Sequence, residues 1–298
     1  MTTGRLTWVA GNRPADKLDE ASGKILAAGR RAADKRSNLN GASPLPLWAT
    51  ETGTENMATG TSIFDPVLCE LAYTWFCPPS GAILDPFAGG SVRGIVAAVL
   101  GRHYTGVDLR PEQIEANNEQ AAAIVPDNMP RWIVGDSREA MPDEQFDFVF
   151  SCPPYADLEV YSDDPRDIST MDYPAFLAAY REIVAGAVQR LRNDRFACFV
   201  VGDVRDKKGM YYNFVSDTIA AFQDAGAKLY NEAVLVTAVG SLPIRVGKQF
   251  ESGRKLGKTH QNVLVFVKGD PRKATQACGP VEIGDLQSAD YVGTGGDA

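Results

Sequence analysis

The stretch AILDPFAGGSVRGIVAAVLG, residues 82–101, decides the fold. Ala82–Asp85 is a short apolar run closed by an acid. A turn containing Gly89 and Gly90 follows, then a helical pattern that Gly101 ends. A strand passing through a glycine turn into a helix is the first half of a βαβ unit. The rhythm continues outward. YTGVD (104–108) reads as a second strand and PEQIEANNEQAAAI (111–124) as a helix with proline at its first turn. RWIVGD (131–136) and FDFVFS (146–151) are further strands, a helix covers 173–192, and RFACFVVGDV (195–204) is the longest apolar run. A helix over 212–225 precedes two final strands, NEAVLVTA (231–238) and NVLVFVKG (262–269). This alternation predicts an α/β fold, a mostly parallel seven-stranded sheet with helices on both faces. A long loop without helical pattern joins the last two strands, which predicts a C-terminal β-hairpin.

Composition sets the outer limits. Of 298 residues, 44% are hydrophobic and 23% charged, as in soluble globular proteins. No apolar run reaches membrane-spanning length, and MTTGRLTWVAGNRPADK lacks a secretory core, so a cytoplasmic protein without membrane association is expected. The five cysteines (Cys69, Cys77, Cys152, Cys198 and Cys278) are widely spaced and pair in no metal-ligand pattern, so neither metal nor disulfides are expected. Oligomeric state is not legible. Residues 1–60 read as an appendage with a helix over 14–35, residues 61–269 as the main domain, and residues 270–298 as a flexible tail.

In a doubly wound sheet, ligands bind at the carboxyl ends of the strands. Three such ends are suggestive. Asp85 can meet an ammonium or hydroxyl, and Gly89 and Gly90 let a ligand approach the backbone. Asp108 can accept both hydrogens of a ribose diol. Asp136 and Ser137 can face an adenine edge, although an acid there also serves as a helix cap. The turn lacks GxGxxG spacing, which disfavours a dinucleotide. A nucleoside-containing cofactor is therefore expected.

The strand FDFVFS runs into CPPY, residues 152–155. Pro153 and Pro154 fix φ and remove two N–H donors, leaving a rigid backbone whose carbonyls can accept from an exocyclic amine. Tyr155 offers a face for a planar base. A strand-exit turn with a packed tyrosine is the plainer alternative.

DPFAGGS followed by CPPY resembles the amino-directed DNA methyltransferases, which use S-adenosylmethionine. TSIFDPVLCELAYTWF (61–76) is similar to the segment preceding their first motif, and GSLPIRVGKQFESGRKLGKTHQNVLVFVKGDPRKAT (240–275) resembles bacteriophage-type DNA modification methylases. The resemblance implies a Rossmann-like class I methyltransferase fold, double-stranded DNA as partner, and the host cytoplasm if phage-encoded. By that resemblance Asp65 touches the methionine end of the cofactor; Asp85, Phe87, Ala88, Gly89 and Gly90 border it; Asp108 holds its ribose and Asp136 its adenine, with Ser137 alongside. Pro153, Pro154 and Tyr155 hold the flipped target base, because a base inside a duplex is out of reach.

Two positions depart from the pattern. Gly89-Gly90-Ser91 replaces Gly-x-Gly, and Cys152 stands where the family carries a hydrogen-bond acceptor, a task for which a thiol is poor. Two mechanisms fit. Cys152 is passive, Ser151 or the proline carbonyls bind the amine, and the product is N4-methylcytosine or N6-methyladenine. Alternatively, the Cys152 thiolate attacks C6 of cytosine, making C5 nucleophilic, with Glu159 assisting N3. Amino transfer to cytosine is favoured. RNA or a protein glutamine as substrate, or DNA binding without catalysis, are the rival readings.

The formal charge of −8 argues against a nucleic-acid partner, but its distribution argues for one. Between Arg245 and Lys273 eight basic residues meet two acids. The loop over about 239–261 supplies Arg245, Lys248, Arg254, Lys255, Lys258 and His260 as candidate DNA contacts. The segment GDVRDKKGMYYNF (202–214) adds Arg205, Lys207 and Lys208. No separate recognition domain is visible, so a short target sequence is expected.

Overall fold

The computed structural model describes residues 64–155, 162–236 and 242–281, the side chains of 242–245 excepted. The expected appendage over 1–60 and Glu159 lie outside the described residues. In chain order the elements are α1 (Pro66–Phe76), β1 (Ala82–Asp85), α2 (Val92–Val99), β2 (His103–Asp108), α3 (Pro111–Ile124), β3 (Arg131–Val134), α4 (Ser137–Ala140) and β4 (Phe146–Ser151). A 3-10 turn (Ile168–Thr170) precedes α5 (Tyr173–Arg190), β5 (Leu191–Val201), α6 (Phe214–Asp224), β6 (Lys228–Val236), α7 (Leu242–Gly253), β7 (His260–Lys268) and α8 (Pro271–Cys278).

The strands form one seven-stranded sheet in the order β3-β2-β1-β4-β5-β7-β6. The first five run parallel, and β7 lies antiparallel between β5 and β6. Strand alternation explains why both faces are covered. Phe148, Phe150, Phe196, Cys198 and Val200 point to one side, where they meet Tyr73 of α1, Ile95 of α2 and Ala274 of α8. Val149, Ala197, Phe199 and Val201 point to the other, against Tyr180 and Val184 of α5 and Phe222 of α6. Phe222 stacks on Phe266 of β7 with ring centroids 3.9 Å apart, tying the antiparallel strand into the second layer.

Two expectations need correction. The connection between β6 and β7 contains a helix, α7, whose glycines and charges hid its pattern. The segment after Gly269 begins with α8 instead of a loose tail. Asp270 caps it by accepting from the N–H groups of Arg272 and Lys273, Pro271 opens its first turn, and Ala274 and Cys278 are buried. All five cysteines are outside disulfides, and burial pushes the thiols of Cys77 and Cys278 up to about 12 and about 11. Among the described residues, no cluster of three or more potential ligands suits a metal and no helix is long and apolar enough to cross a membrane.

The docking of α8 is testable. Ala274→Asp places a carboxyl at a fully buried site and is expected to cost about 1–3 kcal/mol or more in urea denaturation. A loose tail would absorb the change within about 0.5 kcal/mol.

Candidate active site at the strand tips

The carboxyl ends of β1, β2, β3 and β4 lie side by side, and the antiparallel β7 brings its first residues to the same edge. At the centre is Asp85, fully buried. Its Oδ2 accepts from Arg93 Nε at 2.6 Å and from the Tyr104 hydroxyl at 2.7 Å. Its Oδ1 accepts from the Ser151 hydroxyl at 2.5 Å and the Phe87 N–H at 3.1 Å. Arg93 Nη2 also donates to the carbonyls of Phe87 (2.6 Å) and Ala88 (2.9 Å). One guanidinium and one carboxylate thus fasten the glycine turn, strand β2 and the entrance to CPPY. Burial works against the charge on Arg93, but Asp85, with Tyr104 and Cys152 adding to it, holds the guanidinium protonated above its ordinary range.

This geometry revises three expected roles. Asp85 is turned inward and does not face the strand-tip surface. Ser151 is buried with its hydroxyl committed to Asp85, so it is not presented to a target amine. Ser137 is buried and donates to the Pro86 carbonyl at 2.6 Å, bracing the turn from β3 instead of meeting an adenine edge. Asp65 accepts from the N–H groups of Val67 and Leu68 as the cap of α1. Asp136 caps α4 and pairs with Arg138 at 2.5 Å, the helix-cap alternative. Burial would raise its carboxyl, but the hydrogen bonds and charge of Arg138 hold it below the usual range. Phe87 stacks on Tyr180 with centroids 5.9 Å apart, and Ala88 is buried.

What remains open is the face of the turn. Gly89 has φ +50, and a Cβ on Gly89 or Gly90 would meet nothing within 4 Å, so the backbone borders free space. Asn117 of α3 donates to the Gly89 carbonyl at 2.7 Å, and Asp108 Oδ2 accepts from the Gly89 N–H at 2.9 Å. Asp108 Oδ1 accepts from the Arg110 N–H, also at 2.9 Å, and its side chain keeps 14% exposure. Each oxygen therefore retains a lone pair for a diol. A bare, concave backbone beside an acceptor carboxylate suits an adenosyl group.

Next to this cradle, Ser151, Cys152, Pro153, Pro154 and Tyr155 leave β4. Pro153 is buried, while Cys152, Pro154 and Tyr155 are partly exposed. Cys152 Sγ lies 4.0 Å from the Tyr155 hydroxyl, which also accepts from Gln261 Nε2 of β7. The Tyr155 ring meets Phe214 edge-on with centroids 6.2 Å apart. Arg93, Asn117 and Gln261 were missed in the sequence. Nothing local distinguishes them, because each acts across the sheet or between layers.

The basic candidates divide into two neighbouring groups. Arg205 is half-buried, and Lys207 and Lys208 are exposed in a tight turn. In and after α7, Lys248, Arg254 and His260 are exposed and Lys255 and Lys258 partly so, while Arg245 has its side chain outside the described residues. The groups touch: a Cβ on Gly209 would come within 2.6 Å of Lys255 Nζ.

Comparison with known proteins agrees with this architecture. Residues 87–161 match the family profile described as a methyltransferase domain. A structure provisionally described as a sarcosine dimethylglycine methyltransferase from Galdieria sulphuraria is similar over 80% of this chain and 99% of its own, at 14% identity and TM-score 0.50. TrmN from Thermus thermophilus aligns over 76% of this chain at 17% identity and TM-score 0.47, and the chain spans about half (54%) of TrmN. A TehB-like SAM-dependent methyltransferase from Corynebacterium glutamicum aligns over 74% of this chain and 95% of its own, at 18% identity and TM-score 0.43. The fold is the Rossmann-like fold of the class I methyltransferases.

Two measurements check the site. Arg93→Met strands Asp85 without its cation and should cost about 3–5 kcal/mol of stability. Burial, first of all, lifts the Asp108 carboxyl above its ordinary range against the hydrogen bonds of Arg110 and Gly89. Its folded pKa exceeds its unfolded one, so stability should fall as pH rises from the ordinary carboxylate range through the raised value. Asp108→Asn should flatten that segment of a pH–stability curve relative to the unaltered chain.

Proposed function

We propose that the chain is an S-adenosylmethionine-dependent methyltransferase acting on an exocyclic amine of a base extruded from double-stranded DNA, cytosine N4 ahead of adenine N6. One observation carries the reading. The rigid Cys152–Tyr155 segment is pinned at both ends, by Ser151 on Asp85 and by Gln261 on Tyr155, directly beside the open glycine cradle. Gly89, Gly90 and Asp108 would hold the donor, whose sulfonium supplies an electrophilic methyl group. The proline pair presents carbonyls to the amine and Tyr155 a ring to the base. Fixing both partners on adjacent strand tips supplies orientation, which accounts for much of the acceleration in such transfers. The basic residues of the 205–208 turn and the 248–260 segment would contact phosphates, positioning the duplex without reading it.

A second reading has a specific observation behind it. Cys152 is partly exposed and close enough to the buried Arg93 charge to interact with it, a setting that favours a thiolate and transfer to cytosine C5. Methylated DNA digested to nucleosides and weighed by mass spectrometry separates the outcomes. N4-methylcytosine or N6-methyladenine is expected, and Cys152→Ser should retain activity within about tenfold, since general positioning survives. 5-Methylcytosine that vanishes in Cys152→Ser would replace amino transfer with the thiolate route. Label in RNA or protein alone would overturn the DNA assignment.

Reversing Arg254, Lys255 and Lys258 to glutamate should weaken DNA binding and reduce its salt dependence, by about 0.9 in log–log slope for each phosphate that is no longer neutralised. Calorimetric binding of S-adenosylhomocysteine should be unchanged. Unaltered DNA affinity would remove these residues from the interface.

A further inference from the structure

Resting on the base-methyltransferase reading, we infer that the hairpin Arg205–Tyr211 is a wedge that opens the base stack. Its apolar tip, Met210, occupies the space a target base leaves when it swings out of the duplex. The loop is short and heavily braced. Arg205 and Tyr211 form an antiparallel bridge, the Gly209 N–H donates to the Asp206 carbonyl at 2.9 Å, and the Asp206 and Met210 backbones are joined at 2.8 Å. Asp206 turns its carboxylate back onto the Met210 N–H at 2.8 Å, and Arg205 Nη1 donates to the Gly209 carbonyl at 2.8 Å. The Arg205 guanidinium lies 3.8 Å from the Tyr211 ring centroid. So many bonds in seven residues make a stiff projection. The tip nevertheless leaves Met210 68% and Tyr211 46% exposed.

Position and charge give that projection a partner. Both legs are rooted at the proposed base pocket. Before the hairpin, a Cβ on Gly202 would lie 4.0 Å from the Tyr155 hydroxyl; after it, Tyr212 stacks on Tyr173 at 4.1 Å and Phe214 meets the Tyr155 ring. Lys207 and Lys208 are exposed on the turn, and Lys255 reaches it from the α7 side. A thin, unbranched, polarizable side chain flanked by cations fits between base steps while the cations hold the neighbouring phosphates, the arrangement by which apolar wedges unstack duplexes. A protein-docking patch would need no such rigid cationic collar beside the pocket.

The test compares Met210→Gly with the unaltered chain in radiolabelled methyl transfer to sheared genomic DNA, offered as duplex and after heat denaturation. The two forms carry the same sequences, so the target site need not be known. Glycine should lower the duplex rate by about tenfold or more, because unstacking loses its compensation, and change the denatured-DNA rate by less than about twofold. Met210→Leu, which keeps apolar bulk, should restore the duplex rate to within about twofold. An unchanged duplex rate in Met210→Gly overturns the wedge. Equal losses on both forms do so as well, as does an unaltered chain that ignores duplex while methylating denatured DNA. If the unaltered chain labels neither form, the nucleic-acid reading itself fails, an outcome separate from failure of the wedge alone.

Discussion

The buried pair between Arg93 and Asp85 is the constraint around which the strand tips are organised. A charge taken from water is tolerated only when geometry and further hydrogen bonds compensate it. Here the compensation comes from three directions: Tyr104 on β2, Ser151 on β4 and the carbonyls of the glycine turn. The outcome is a turn that cannot drift and a proline segment whose first anchor is fixed. Asn117 and Asp108 then hold Gly89 from the outer side, so the open face of the turn is shaped from both flanks.

Around that centre the two sides of the site differ in chemistry. The cradle between β1 and β2 is lined by backbone and one carboxylate, suited to a small polar molecule. Beyond β4 the surface becomes aromatic and then basic, through Tyr155, Phe214, Tyr173, Tyr212 and the lysines. A methyl donor and a nucleobase ask for that gradient in that order. The helix α7, which its sequence does not announce, belongs to the basic end. Its residue Phe250 carries the Arg254 guanidinium 5.0 Å from its ring, which fixes one cation on the outer rim.

The architecture was legible because every strand announced itself by an apolar run and most helices by a cap. Ala82–Asp85, Pro111–Ile124 and Phe146–Ser151 form as read. The α8 helix was missed because Asp270-Pro271, a cap followed by a first-turn proline, was outweighed by the Gly- and Asp-rich residues beyond it. Site residues were harder. Acids at strand ends were recognised, but a sequence does not say which way a carboxylate turns. Asp85 and Ser151 point inward because Arg93, eight residues after Asp85, is buried beneath them, and a lone arginine in a helix reads as a solvent-facing residue. Gln261 was invisible for a different reason: its partner, Tyr155, is over a hundred residues away in the chain.

The sheet order has a consequence for how the chain is made. β7 sits between β5 and β6, so β6 leaves the ribosome before the only strand that can connect it to the rest of the sheet. Until β7 arrives, β5 presents an unpaired apolar edge, the kind of edge that templates aggregation. Biosynthesis therefore passes through an interval in which the donor cradle is complete and the sheet is not, and chaperone demand is concentrated at that late stage of translation.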